Sequence, residues 1–199
     1  MLDIAGGLGD EYSDTSDVAG RLTRCKKGDG VLTVDDGVAR VVVEMTDSPR
    51  VGWSEYLEEA ERNREAAASL GLVRTAAQNR DRSIRVLGRR RIVMAFDPHN
   101  DDPELLRTAV MLLRTAAIAA ASRNGANEIA TAEEKVTEAI AQLTKIDEVK
   151  KLAGSIQKSA TKIDGECTNL NTGIRRLLGE AISALSGAGP AARGPLTGR

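Results

Sequence analysis

A hairpin of buried strands between residues 31 and 45 constrains the fold more than any other feature of the sequence. Val31–Val34 is a short apolar run rich in β-branched residues, which favour strands. Asp35-Asp36-Gly37 follows, and Gly and Asp tolerate the positive φ of a tight hairpin turn. The second strand, Arg40–Met45 (RVVVEM), has an apolar run without alternation, so we expect both of its faces to be covered. The hairpin therefore predicts a layered protein in which helices pack on a sheet.

The segments after the hairpin supply the other layers. Apolar residues at helical spacing, Gly and Pro stops, and short β-branched runs predict a helix at Trp53–Leu70, strands at Leu72–Ala77, Ser83–Leu87 and Arg91–Phe96, and an apolar helix at Glu104–Ser122 that ends at Arg123–Gly125. Asp102 is a good N-cap for the last helix, and Pro103 suits its first position. This order predicts an α/β or α+β fold with about five short strands.

Two carboxylates on the hairpin suggest chemistry. Glu44 ends a buried strand, where a carboxylate is costly without a partner, and Asp29 precedes the other strand. Carboxylates from adjacent strands are the minimum for a divalent metal held by oxygen ligands. Glu11 is a candidate third acid. Alternatively, Glu44 is a glutamate at the rim of the sheet that pairs with Arg or Lys, and Glu11 is a solvated loop residue.

A basic segment lies between residues 74 and 91, where seven arginines face the single acid Asp81. Such a patch can bind phosphates, or it can protect a solvated sheet edge from aggregation. With a net charge of −1 and 2% aromatics, the chain has no global field to attract nucleic acid and little means of stacking on bases. The candidate DNA contacts are Arg80, Arg82, Arg85, Arg89, Arg90 and Arg91.

The C-terminal part changes composition and becomes rich in Ala, Glu, Lys, Ile and Leu. From Val149 onward apolar residues recur in steps of three and four, which predicts a coiled-coil or helical-hairpin arm whose partner is this chain or a second copy. A break near Gly154 or Gly165 would fold the arm back. Cys167 lies on the apolar stripe as a packed small residue. We therefore expect a core at 1–126 with a truncated N-terminus, an arm at 127–186 that forms a homo-oligomer, and a disordered tail at 187–199.

Other features of the sequence concern membrane insertion, secretion and the state of the cysteines and the histidine. No window has the ~18 apolar residues of a membrane span, and the first residues lack the pattern of a signal peptide. Cys25 and Cys167 stand in different contexts, which favours free thiols in a cytoplasmic protein. The only histidine, His99, stands in an acidic turn and is expected at the surface.

Taken together, the first half resembles the PD-(D/E)xK nuclease superfamily. The order KKGD, VVVEMTD, WSEYLEEAERNR, GLVRTAA and RRRIVMAFDP, followed by an apolar helix and a coiled-coil segment, is similar to RmuC-like bacterial proteins over roughly Gly9–Ala120. The resemblance implies a restriction-endonuclease-like mixed sheet flanked by helices. It also implies that Glu11, Asp29 and Glu44 hold Mg²⁺ for phosphodiester cleavage.

One departure from the pattern decides between functions. The family has Lys two residues after the Glu, and this chain has Thr46, which cannot stabilise phosphate charge. Lys27, Asn63 or Arg64 are possible substitutes, and we take Lys27 with Asp29 and Glu44 as the catalytic candidates. Thr46 favours a DNA-binding or regulatory module with a degenerate core. An active Mg²⁺-dependent nuclease and a coiled-coil scaffold without nucleic-acid binding are the alternatives.

Overall fold

The computed structural model describes residues 1–122 and 126–187. The chain divides into two compact units, Met1–Val149 and Lys150–Arg199. Residues 123–125, where the sequence predicts a helix end, and the predicted disordered tail after Gly187 lie outside the described residues.

The first unit is built on a mixed six-stranded sheet. The elements in chain order are α1 (Leu2–Leu8), β1 (Glu11–Asp14), β2 (Gly30–Val34), β3 (Ala39–Thr46), α2 (Trp53–Arg64), β4 (Ala68–Val73), a short 3₁₀ helix (Ala76–Asn79), β5 (Ile84–Gly88), β6 (Arg91–Ala95), α3 (Pro103–Ala121), α4 (Ala126–Leu143) and α5 (Ile146–Gly187). The strand order is β1-β2-β3-β4-β6-β5. Strands β3, β4 and β6 run parallel, and the other neighbouring pairs are antiparallel. The expected mixed α/β architecture is confirmed.

The hairpin forms as the sequence predicts. Asp35, Asp36 and Gly37 all adopt positive φ, between 51° and 93°, in the turn between β2 and β3. The side chains of Val41 and Val43 lie in the larger core beneath α1, α3 and α4, whereas Val42 and Glu44 point to the face that carries α2. All four residues of this run are buried, so both faces of the strand are covered as expected.

The predicted border between the first helix and the third strand is wrong. Helix α2 ends at Arg64, and Glu65 takes a left-handed conformation with φ of 54°. The chain then enters β4 at Ala68, within the segment predicted as helix, and leaves it at Val73 rather than Ala77. The Ala-rich sequence has helical propensity, but a central strand buried on both faces overrides it. Strand β1 also forms around Glu11, for which the sequence allowed a solvated loop position.

The helices after the sheet complete the first unit. Helix α3 matches its prediction, with the Asp102 side chain accepting a hydrogen bond from the Glu104 N–H and Pro103 at the first position. Val136 and Leu143 of α4 are buried, so the domain border predicted at 126 falls inside the compact unit.

Helix α5 is continuous through Gly154 and Gly165, where the sequence had allowed a fold-back. The interruption falls instead between α4 and α5, at residues 144–145. Among the described residues, no helix has the length and apolar character to cross a membrane.

Candidate metal centre and nucleic-acid interface

The hairpin brings two of the predicted metal ligands side by side. Gly30 pairs with Val43 in the β2–β3 ladder, so the next step of the same register sets Asp29 opposite Glu44. Asp29 Oδ2 accepts a hydrogen bond from the Met45 N–H at 2.7 Å. The acid pair of Asp29 and Glu44 is therefore fixed by strand pairing.

The Glu44 carboxylate is buried, and each of its oxygens accepts a hydrogen bond from the protein. Only 4% of the residue is exposed. Oε2 accepts the Gly28 N–H at 2.9 Å, and Oε1 accepts the Tyr56 hydroxyl and lies 3.8 Å from Arg50 Nη2. Burial raises the pKa of Glu44, and the hydrogen bonds from Tyr56 and Gly28 oppose this shift only in part. Burial and the neighbouring Glu44 also raise the pKa of Tyr56, which keeps its hydroxyl a donor.

Arg50 is the cation nearest to Glu44 among the described contacts, and the sequence did not identify it. Its guanidinium carbon lies 3.7 Å from the ring centroid of Tyr56 and 5.4 Å from that of Trp53. The Trp53 ring meets Tyr56 edge to face, with centroids 6.2 Å apart. Arg50 Nε and Trp53 Nε1 are buried without a hydrogen-bond partner in the described part of the chain. The aromatic pair three residues apart, just after an arginine, is the sequence signal that could have revealed this stack.

Lys27 and Thr46 do not supply a cation at the acid pair. The Lys27 ammonium binds Glu59 and lies 4.6 Å from the centroid of the Tyr56 ring. Thr46 Oγ1 accepts the N–H of Ser48 at 3.1 Å. Lys27 therefore contacts the aromatic partner of Glu44, and the structure gives it no direct contact with Asp29 or Glu44.

Asn63 and Arg64, the other candidate substitutes for lysine, hold the long loop between β1 and β2. Asn63 Nδ2 donates to the Lys27 carbonyl at 2.8 Å, and its Oδ1 accepts the Leu22 N–H. Arg64 is 7% exposed and donates only to backbone carbonyls among its described hydrogen bonds. Its acceptors are the carbonyl oxygens of Thr15, Val18, Lys26, Lys27 and Gly28. Both side chains position the loop that leads into Asp29.

The third predicted metal ligand lies away from the acid pair. Glu11 is exposed on edge strand β1 opposite Thr33, whereas Asp14, at the other end of β1, pairs with Gly30. Three residues of extended strand, about 10 Å, therefore separate Glu11 from the Asp29 end. The described residues contain no group of three or more His, Cys, Asp or Glu side chains placed to hold a metal ion. A magnesium ion would have two carboxylates here, and Glu44 Oε1 already accepts the Tyr56 hydroxyl.

The arginines of the basic segment separate into two groups. Arg91 makes a bidentate pair with Glu61, and Arg89 pairs with Glu133. By contrast, Arg80, Arg82 and Arg85 make no ion pair within the described residues, and Arg90 likewise makes none there. Arg80 and Arg82 lie in the turn that leads into β5, where Arg85 is the second residue. Burial lowers the pKa of Arg85, and the charges of Arg80 and Arg82 lower it further. We call these three residues the arginine cluster.

The acid pair and the arginine cluster lie at the same edge of the sheet. Parallel strands β3, β4 and β6 end level with one another, since Thr46 pairs with Val73 and Val73 with Ala95. Strand β2 is antiparallel to β3, and β5 is antiparallel to β6, so Asp29 and Ser83 enter their strands from this same edge. The carboxyl ends of parallel strands are the usual position of ligand sites in open α/β sheets.

One row of the sheet connects the two groups. Glu44 pairs with Gly71, Gly71 with Val93, and Val93 with Arg85. Three strand spacings separate the ends of this row, which is roughly 14 Å. Each strand of a DNA duplex rises about 3.4 Å per phosphate, so this distance corresponds to roughly four nucleotide steps.

Comparisons with protein-family models, with curated proteins and with solved structures find no match to this chain. The nuclease-like resemblance therefore stays a prediction from the sequence.

Proposed function

We propose that this protein binds DNA through a PD-(D/E)xK-like core that does not cleave it. The observation that carries the proposal is the arginine cluster, whose members lack ion pairs in the described structure while Arg89 and Arg91 have them. Arginines without carboxylate partners are suited to phosphate, because the guanidinium fork matches phosphate oxygens. The net charge of −1 means that binding must depend on this local cluster.

The arrangement around Glu44 supports binding without cleavage. Both carboxylate oxygens accept hydrogen bonds from the protein, and Thr46 provides no charge for a phosphate. A metal-dependent nuclease needs open carboxylate oxygens and a cation directed at the scissile phosphate. In this proposal Asp29 and Glu44 are the remains of a metal site whose glutamate is now held by hydrogen bonds from Gly28 and Tyr56.

Arg50 supports the second candidate, an active Mg²⁺-dependent nuclease with a displaced cation. Its guanidinium lies 3.8 Å from Glu44 and has a buried Nε without a hydrogen-bond partner in the described structure. In that case Arg50 would take the role of the absent lysine, and Asp29 and Glu44 would hold the metal.

The binding proposal is tested by the salt dependence of affinity. Wild-type protein is titrated onto a labelled short DNA duplex between roughly 50 and 200 mM salt, where three phosphate contacts give a slope of log K against log salt near −3. Replacing Arg80, Arg82 or Arg85 by Gln should reduce the slope by about one each, because each contact releases one counterion. The matched control is Arg62→Gln, which removes the same charge elsewhere. Arg62 lies in the last turn of α2, and the chain passes from there to the start of β4, at the opposite edge of the sheet from the arginine cluster. Equal effects of Arg62→Gln and Arg85→Gln would exclude the cluster as the binding surface.

Cleavage is tested on supercoiled plasmid with Mg²⁺. Binding without nicking supports the first candidate, and a Thr46→Lys variant that gains Mg²⁺-dependent nicking would support a degenerate site. Nicking by wild type that is lost in both Asp29→Asn and Glu44→Gln would establish the second candidate instead. Absence of DNA binding even at low salt would overturn both and leave the scaffold function.

A further inference from the structure

Helix α5 carries an apolar stripe that no described residue covers. Val149, Ile156, Ile163, Leu170 and Leu177 are each between 57% and 71% exposed. A stripe of this length on one side of a helix is a surface for another helix.

The stripe follows a strict seven-residue repeat. Large residues occupy one position, at Val149, Ile156, Ile163, Leu170 and Leu177. The position four residues further on holds Ala153, Ala160, Cys167, Ile174 and Ala181, most of which are small. A sustained repeat with apolar residues at both positions is the pattern of a coiled coil, with the large residues at d and the small ones at a.

The alternation of size distinguishes parallel from antiparallel pairing. In a parallel pair, a faces a and d faces d, so Ala160 would face Ala160 beside a layer in which Ile163 faces Ile163. Ile layers hold the helices apart and would leave voids at the Ala layers, which close-packed interiors avoid. In an antiparallel pair a faces d, so that in the register proposed below every layer from Ala153 to Leu170 combines one small and one large residue.

The charges beside the stripe favour the same orientation. Lys145, directly before α5, and Lys150 flank the stripe at its beginning, and Asp164, Glu166 and Glu180 flank it further along. Parallel pairing sets Lys145 beside Lys150 of the second copy, which is repulsive. Antiparallel pairing sets the basic end against the acidic end.

We propose that two copies of this chain pair antiparallel along α5, with Ala160 facing Ile163 and Cys167 facing Ile156 of the second copy. In this register Lys145 lies beside Glu180, Gln157 beside Asp164 and Ser159 beside Glu166. Of the two registers one repeat away, one would set Asp164 against Asp164 and Glu166 against Glu166, which disfavours it. The argument uses neither DNA binding nor cleavage, so the two proposals fail independently.

Disulfide mapping tests both orientation and register in the full-length chain. In a Cys25→Ser background, mild oxidation should leave Cys167 without a disulfide, because the two Cys167 residues lie about 16 Å apart along the pair. Adding Ile156→Cys should give a dimer linked from 156 to 167, and adding Cys167→Ser should abolish it. Leu170→Cys is the matched control, since it changes another d position and should give no link to Cys167.

Each other outcome overturns the proposal. A Cys167–Cys167 disulfide means parallel pairing, and a dimer in which 156 and 167 do not link means another register. Sedimentation velocity over a wide concentration range provides an independent measurement. Ile163→Asp should convert the dimer to monomer, whereas Lys158→Asp, on the opposite face of the repeat, should not. A chain that is monomeric at every concentration rejects self-association.

Discussion

Replacing Arg64 by Met should be among the most destabilising substitutions in the core. The guanidinium is buried at the end of α2, and its Nε and Nη2 donate to five carbonyl oxygens of the β1–β2 loop at 2.7 to 3.1 Å. Met fills a similar volume without donors. The substitution therefore leaves carbonyls between Thr15 and Gly28 without the cation that orders them.

The expected loss in the free energy of unfolding follows from the hydrogen-bond donors that Arg64→Met removes. Nε carries one hydrogen and Nη2 two, so three charge-assisted donors serve the five carbonyls. At about 1.5–3 kcal/mol each, less the cost of burying the guanidinium, the net loss should be about 3–4 kcal/mol. Arg64→Lys should lose about half as much, because an ammonium cannot span carbonyls on both sides as the planar fork does.

Urea unfolding followed by Trp53 fluorescence measures this loss, because Trp53 is the only tryptophan and is buried in the same unit. Arg62→Met is the control, since Arg62 is exposed on the same helix, and it should change the free energy of unfolding by less than about 0.5 kcal/mol. A loss below about 1 kcal/mol for Arg64→Met, or equal stability of Arg64→Lys and wild type, would refute the reasoning.

Two further substitutions test the packing and the charge beside the acid pair. Gly71→Ala should cost about 2 kcal/mol in urea unfolding, because its Cβ would lie 2.6 Å from the buried Trp53 ring. Glu44→Gln should gain stability relative to wild type as pH rises above about 4.5, the ordinary pKa of glutamate. The pKa of Glu44 is raised in the folded state, so folding favours the protonated carboxyl. The stability that this carboxyl contributes is complete below its pKa in the unfolded chain and is lost as pH rises through its pKa in the folded chain.

Both expectations have clear contrary outcomes. Gly88→Ala is the control for Gly71, since nothing lies within 4 Å of its added Cβ, and equal costs at the two positions would contradict the Trp53 contact. For Glu44, unfolding midpoints of wild type and Glu44→Gln are compared from acidic to neutral pH. A constant difference between the two proteins would show that the carboxyl titrates alike in folded and unfolded chains.

The hairpin and the acid pair could be predicted from the sequence because both depend on local signals. A run of β-branched residues, an Asp-Asp-Gly turn and antiparallel pairing are sufficient to set Asp29 opposite Glu44. The sequence places the start of β4 in the preceding helix, because its Ala-rich start resembles a helix until the packing of a central strand is known. Arg50 could not be assigned to Glu44, since this contact depends on how residues 47–52 return the chain over α2.

The peptide group between Lys27 and Gly28 joins two buried charges that do not meet. Its carbonyl oxygen accepts from Arg64 Nε at 3.0 Å, and its N–H donates to Glu44 Oε2 at 2.9 Å. Cation, peptide dipole and anion thus stand in series, and each hydrogen bond polarises the next. Gly28 allows this orientation with its φ of 94°, where a Cβ would lie 2.6 Å from Val42. A single amide thus connects the buried guanidinium on one side of the main chain to the buried carboxylate on the other.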